Sequence, residues 1–382
     1  MRSTIGPLLF GVAFLIPARS IVAAVSPADV ARAVSMAFAA NPGIVGGAVN
    51  DVAGDVNADG RADAADVVGA VLGMRSPTQP GPFPVGFRHL TLTKKSVSHP
   101  DQDRVLETAV WYPTTPDASG TNHYGGIDDA PLATDAQTVP LLMFSHGSCG
   151  YAEQSIFLTA LVASYGFVVA APPHPGNTID DLLTLPGCGS DAAQMDSFLN
   201  READIVFVID TLLQLNADPS SFLYGAIDPS RIGMSGHSFG GQTTLRVCAD
   251  EPRVVAGLAL APAIELVGNQ TARIAIPMMV QDGVDDTTTA FVPNAQAIYN
   301  LLHAPRALVA IADTGHYAFS DKCFPGNPDC GPGRLTQAQA HAYVQRYAVP
   351  FLLQRIAGDH RFDAFLDAAA LPPGVVVTAD VE

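Results

Sequence analysis

From residue 105 onward the chain alternates short, nearly unbroken apolar runs with stretches where apolar residues recur every three or four positions. The runs at 105–112, 139–145, 167–171, 231–235, 254–260, 277–281 and 306–311 have the length and apolar density of buried strands. Between them, Ile205, Val208, Ile209 and Leu212 fall at i, i+3, i+4 and i+7, and 290–303 and 338–356 also read as helical. Buried strands taken in turn with helices predict an α/β fold: a mostly parallel sheet with helices on both faces. In such sheets the chemistry gathers at the carboxyl ends of the strands.

The pattern breaks toward both ends. Residues 76–86, SPTQPGPFPVG, are dense in proline and glycine without any period and read as a linker. This sets the large domain at 87–370 and leaves 371–382 as a C-terminal tail. At the other end Met1 and Arg2 precede an apolar run from Ile5 to Ile16 that closes on Val22, Ala23 and Ala24. The run is shorter than the roughly 20 residues a bilayer span needs, so 1–24 reads as a secretory signal peptide and the protein as exported.

Between signal and linker, residues 25–75 contain GDVNADGRADAADVVGAVLG. Counted from Asp55, the oxygen-bearing residues Asp55, Asn57, Asp59, Asp63 and Asp66 stand at positions 1, 3, 5, 9 and 12, with Gly60 at the sharp turn and the carbonyl of Arg61 at position 7. Calcium takes six to eight oxygens on such a loop, so a Ca²⁺ site is expected here. The EF-hand pattern is broken only by Asp66 standing in place of Glu, and DVNADG resembles the dockerin type of calcium module. Ala28-Asp29-Val30 with Ala33-Val34 recurs as Ala65-Asp66-Val67 with Ala70-Val71, a faint repeat whose first copy lacks the loop. A protein partner of this module remains an open expectation, and a solvated acidic turn is the alternative.

Composition narrows the classes. With 48% hydrophobic and 15% charged residues over 382 positions, the chain can bury a full-sized core and is not a disordered protein. Its 20 Lys and Arg against 37 Asp and Glu give a formal charge of −17, which repels phosphate backbones and argues against nucleic acid as a partner. Export permits disulfides among Cys149, Cys188, Cys248, Cys323 and Cys330, and the odd count leaves one thiol over. Cys323 and Cys330 bracket the turn-rich FPGNPD and are the expected pair; the other connections stay open.

The chemistry-bearing motif is RIGMSGHSFGG, in which Gly236, His237, Ser238, Phe239 and Gly240 form G-x-S-x-G between a strand and a helix. Small residues on both sides permit a strained turn that lifts a serine hydroxyl out of the fold, at the positive end of the helix that follows. Two later strand ends carry Asp286, in DGVDDTTT, and His316, after RALVAIADTG. Ser238, Asp286, His316 is the order of nucleophile, acid and base in α/β-hydrolases. Asp282 and Asp285 compete with Asp286 for the acid. His303 and His341 lie in helical patterns and His237 is turned away by the elbow, which leaves His316 as the base. LLMFSHGSCG, residues 141–150, ends a strand in His146-Gly147-Ser148, so the Ser148 N–H can face the Phe239 N–H across a developing oxyanion. A metal site from His146, His174 and His237 is conceivable but has no compact ligand spacing.

RVLETAVWYPT, PLLMFSHGSCG, YGFVVAAPPHPGNT, RIGMSGHSFGG and DTGHYAF together resemble the platelet-activating-factor acetylhydrolase and dienelactone-hydrolase-like branch of secreted α/β-hydrolases, which includes cutinase-type polyesterases. The resemblance covers about 87–355 and implies carboxylic ester hydrolysis by a serine, without a cofactor for catalysis. It also implies an acid three places past a glycine such as Gly283, which is Asp286, and an oxyanion hole from Ser148 and Phe239. The dienelactone enzymes themselves use a cysteine where this chain has Ser238. The expected function is a secreted serine carboxylesterase acting on a small-molecule, lipid or polyester ester. Its rivals are a phospholipase A2 of the platelet-activating-factor type, a cutinase-like polyesterase, and a non-enzymatic, calcium-dependent adhesive protein.

Overall fold

The structure is a computed structural model and describes residues 76–133, 138–185, 187–321, 335–366, 371 and 374–380. The signal segment, the calcium loop with Asp55, Asn57, Asp59, Arg61, Asp63 and Asp66, and the expected Cys323–Cys330 pair lie outside the described residues.

Eleven strands form one sheet: β1 (Val85–Lys95), β2 (Asp103–Pro113), β3 (Asn122–His123), β4 (Gly126–Asp128), β5 (Val139–Ser145), β6 (Val168–Ala171), β7 (Ile227–His237), β8 (Val254–Leu260), β9 (Met278–Gly283), β10 (Arg306–Ile311) and β11 (Val375–Asp380). Their order across the sheet is β11-β10-β9-β8-β7-β5-β6-β2-β1-β4-β3. The six from β10 to β6 run parallel, and β2 and β11 flank them antiparallel. The helices are α1 (Ile156–Ser164), α2 (Asp191–Ala217), α3 (Phe239–Asp250), α4 (Gly268–Thr271), α5 (Ala297–Leu301) and α6 (Gln337–Leu352).

Side chains alternate across a strand, so each buried strand feeds two cores. Leu142, Phe144 and Val169 point into one with Leu158 and Val162 of α1 and Val344 and Tyr347 of α6. Leu141, Met143 and Val168 point into the other with Ile205, Val208, Ile209 and Leu212 of α2 and Leu245 of α3. This is the predicted mostly parallel sheet with helices on both faces. None of the described helices is long and apolar enough to cross a membrane.

Three boundaries differ from the sequence reading. β1 starts at Val85, inside the expected linker, and the residues before it are packed: the Gly81 N–H donates to Ser164 Oγ at 2.7 Å, and a Cβ there would sit 2.2 Å from the Ser164 carbonyl oxygen. The expected tail supplies β11, paired with β10 over its whole length. The helix expected at 290–303 is a π-type turn, Val292–Gln296, running into the short α5.

Candidate active site

Ser238 stands between the end of β7 and the start of α3 with φ 59° and ψ −120°, a conformation that side chains rarely adopt. Its neighbours explain how the turn survives. A Cβ at Gly236 would lie 2.3 Å from the Gly240 carbonyl oxygen, and one at Gly240 would lie 1.8 Å from the Ser145 carbonyl oxygen. Only glycine admits this approach of elbow and β5. The Ser238 N–H donates to the Leu260 carbonyl at 2.9 Å, fixing the turn to β8.

At the end of β9 the structure separates the three candidate acids. Asp285 is exposed, whereas Asp286 is buried and its Oδ2 accepts a hydrogen bond from His316 Nδ1 at 2.7 Å. Asp286 Oδ1 accepts the N–H groups of Thr288 and Thr289 at 2.8 and 2.7 Å, and the Thr289 hydroxyl reaches Oδ2 at 2.9 Å. Burial alone would raise this carboxyl, but the His316 bond, the imidazole's charge and the Thr289 donors outweigh it and hold it below the usual carboxylate range. Asp282 is fully buried, and burial together with the neighbouring Asp286 charge pushes it well above that range.

His316 opens a short 3₁₀ turn, His316–Phe319, after β10. Its backbone carbonyl accepts from His237 Nε2 at 3.0 Å, and His237 Nδ1 accepts from Gln154 Nε2 at 2.8 Å. Gln154 Oε1 in turn accepts the Gly147 N–H at 2.9 Å. Gln154, which no sequence motif marks, thus ties the 146–150 loop to the histidine. Burial next to His316 lowers His237 to about 3, so its ring is neutral.

On the other side of the serine, β5 ends at Ser145 and the chain passes through buried His146 and Gly147 to exposed Ser148. Among the described residues neither the Ser148 N–H nor the Phe239 N–H has an acceptor. The Ser148 hydroxyl accepts from Gln194 at 2.5 Å and from Asn177 at 3.3 Å. Next to it, Cys149 is disulfide-bonded to Cys188 across 39 residues, and among the described residues Cys248 is a buried free thiol. The His146 and His174 rings lie 5.0 Å apart, tilted by 46°, with every ring nitrogen engaged by the protein, as in His237, which leaves no lone pair for a metal.

A cleft of about 400 Å³ opens at Ser238, lined by Phe239, Met195, Phe198 and Leu266 with Gln194, Gln242, Asp191 and Glu265. No cation is among the residues that line it.

Residues 115–371 match the PETase family, described as PET hydrolase-like. The chain is 24% identical over 345 residues to platelet-activating factor acetylhydrolase of Cavia porcellus, covering 74% of this chain and 78% of that one. It is 25% identical to cutinase 1 of Thermobifida cellulosilytica over 60% of this chain and 73% of the cutinase. Against bis(hydroxyethyl) terephthalate hydrolase of Streptomyces coelicolor the identity is 25%, over 64% and 66% of the two chains. With the match spanning the elbow, both later strand ends and the cleft, the chain belongs to the PET hydrolase-like family and is a carboxylic ester hydrolase of the α/β-hydrolase fold.

Proposed function

We propose that Ser238, His316 and Asp286 are the catalytic triad and that the Ser148 and Phe239 N–H groups form the oxyanion hole. The observation carrying this is the strained serine at the end of β7 together with a buried imidazole–carboxylate pair at 2.7 Å on the neighbouring strand ends. Because His316 Nδ1–H is committed to Asp286, Nε2 is the nitrogen left to act as base. Ser238 Oγ attacks the ester carbonyl while its proton passes to Nε2. The carbonyl oxygen becomes an oxyanion facing the two N–H groups. His316 then protonates the leaving alkoxide, and an acyl-serine remains. Water attacks that acyl group with its proton taken by Nε2, and collapse frees the acid and restores Ser238. Asp286, ionised, offsets the imidazolium charge in both halves. No step asks for a cofactor.

The cleft favours uncharged acyl and alcohol groups, since apolar side chains supply its walls and its only charges are carboxylates. Short aliphatic and aromatic esters, including soluble fragments of polyesters, fit this chemistry, as do the uncharged acyl chains of a lipid. Turnover of p-nitrophenyl butyrate that Ser238→Ala reduces at least about ten-thousandfold supports the reading. Turnover surviving in that variant overturns it.

Export and calcium binding rest on the N-terminal sequence alone. We propose that residues 1–24 direct secretion and that Asp55, Asn57, Asp59, Arg61, Asp63 and Asp66 hold one Ca²⁺ in a dockerin-like module, with docking to a protein partner as its further role. Asp55→Ala with Asp59→Ala should abolish calcium uptake by the full chain, measured by equilibrium dialysis, while chelation leaves esterase turnover within about twofold, since no catalytic role falls to the ion. Unchanged uptake sinks the site.

A further inference from the structure

Arg201, on α2, is fully buried, yet among the described residues no carboxylate touches its guanidinium. Its Nη1 donates to the His146 carbonyl at 2.6 Å and to Ser145 Oγ at 3.1 Å; its Nη2 donates to the Gly147 carbonyl at 3.2 Å and to Asn177 Oδ1 at 2.8 Å; its Nε donates to Ser197 Oγ at 2.8 Å. The guanidinium carbon lies 4.3 Å from the centre of the Phe239 ring. Five neutral acceptors and one aromatic face therefore hold a buried cation directly behind the 146–148 loop. No hydrogen bond joins it to the buried Asp204, whose charge nonetheless supports the guanidinium; the hydrogen-bond chain to that carboxylate runs from Ser145 Oγ to His174 Nε2 at 2.9 Å and from His174 Nδ1 to Asp204 at 3.1 Å, and Asp204 is itself gripped by Arg104.

In a trans peptide the C=O and the following N–H point in opposite directions. The Gly147 carbonyl is held by Arg201, by His146 Nδ1 at 2.7 Å and by the Gly150 N–H at 3.2 Å, so the Ser148 N–H is turned away from the guanidinium. The other proposed oxyanion donor belongs to Phe239, on whose ring the same guanidinium stacks. We infer that Arg201 is the positioning residue of the oxyanion hole, fixing one donor through the Gly147 carbonyl and the other by stacking on Phe239. The inference rests on the assignment of Ser148 and Phe239 as oxyanion donors. Burial lowers Arg201 to about 9, so it stays charged at neutral pH and adds a fixed positive field on the side where the oxyanion forms.

The test compares wild type with Arg201→Met and Arg201→Lys, using p-nitrophenyl butyrate turnover per active site titrated with a p-nitrophenyl phosphate triester. Arg201→Met should lower kcat on the order of 100-fold with KM within about threefold, the size of losing one oxyanion donor. Inhibition by a trifluoromethyl ketone, whose adduct carries the oxyanion, should weaken in step with kcat. Arg201→Lys, which keeps the charge but cannot bridge two carbonyls, should fall between the two. A merely structural arginine would change the number of titratable sites and the melting temperature but not kcat per site, and that result overturns the inference. Should Arg201→Met not fold, Ser197→Ala removes only the Nε acceptor, and a severalfold drop in kcat at constant KM is then expected; no change in kcat counts against the role. Loss of Ser238 dependence would sink the catalytic reading itself, which an unchanged kcat in the arginine variants would not.

Discussion

The polar groups on one side of Ser238 converge on a carboxylate, and those on the other side converge on a guanidinium. Asp286 collects His316, two backbone N–H groups and a hydroxyl; Arg201 collects two carbonyls, two hydroxyls and a side-chain amide. The asymmetry matches the charges that the proposed mechanism of ester cleavage would create, an imidazolium on the first side and an oxyanion on the second. Each buried ion is solvated by dipoles fixed before the reaction starts, so little reorganisation is needed when charge develops. The two sides are joined by Gln154 and His237, neutral groups that pass position without adding charge.

The sharpest way to break this contrast is at the carboxylate. Asp286→Asn should lower kcat about a thousandfold or more, because the amide favours the wrong imidazole tautomer, while exposed Asp285→Asn should stay within about tenfold. Stopped turnover in the second variant and health in the first would mean that the acid is misassigned. Opening the Cys149–Cys188 clasp attacks the other side. The double variant Cys149→Ser, Cys188→Ser should lower kcat roughly five- to tenfold by loosening the Ser148 loop, and the melting temperature by several degrees, since the link closes a 39-residue loop. Unchanged kcat would show that the hydrogen bonds of Arg201 and Gln154 hold the loop without the disulfide.

A smaller effect concerns the cleft. An ester with a carboxylate-ended acyl group, such as p-nitrophenyl hemisuccinate, should show a kcat/KM several times below that of p-nitrophenyl butyrate, with the gap narrowing at high salt as Asp191 and Glu265 are screened. A gap insensitive to salt would assign the preference to shape. Smallest of all is the expected response at Asp282. Burial and the Asp286 charge already disfavour its ionised form, so Asp282→Asn should alter kcat by less than about threefold near pH 7; a loss approaching that of Asp286→Asn would show that the site uses two negative charges.

How far these features could be read from the sequence depended on whether their signal was local. The elbow needs glycine at fixed offsets, and most of the seven predicted strands are apolar runs buried on both faces, so a short window contains each signal. Asp285 and Asp286 share a window and differ only in which one the loop buries. Arg201 looks like any polar residue on a helix: it is 55 residues from His146 in sequence, and only the packing of α2 on the end of β5 brings them together. Gln154 and Cys188 were hidden for the same reason. β1 and β11 lie nearer the edges of the sheet, where one-sided burial leaves mixed sequences such as VGFRHLTLTKK that look like linker or tail.

The contact between Gly240 and the Ser145 carbonyl also sets the terms on which this enzyme can be remodelled. A Cβ added at Gly240 would lie 1.8 Å from that oxygen, so no side chain fits, and no rotamer of a neighbour can make room because the obstacle is backbone. A randomised library that includes positions 236 and 240 would spend most of its members on chains that cannot form the elbow. Met195 and Leu266, each with space on its solvent side, are where diversity can change which ester is accepted without disturbing how it is cut.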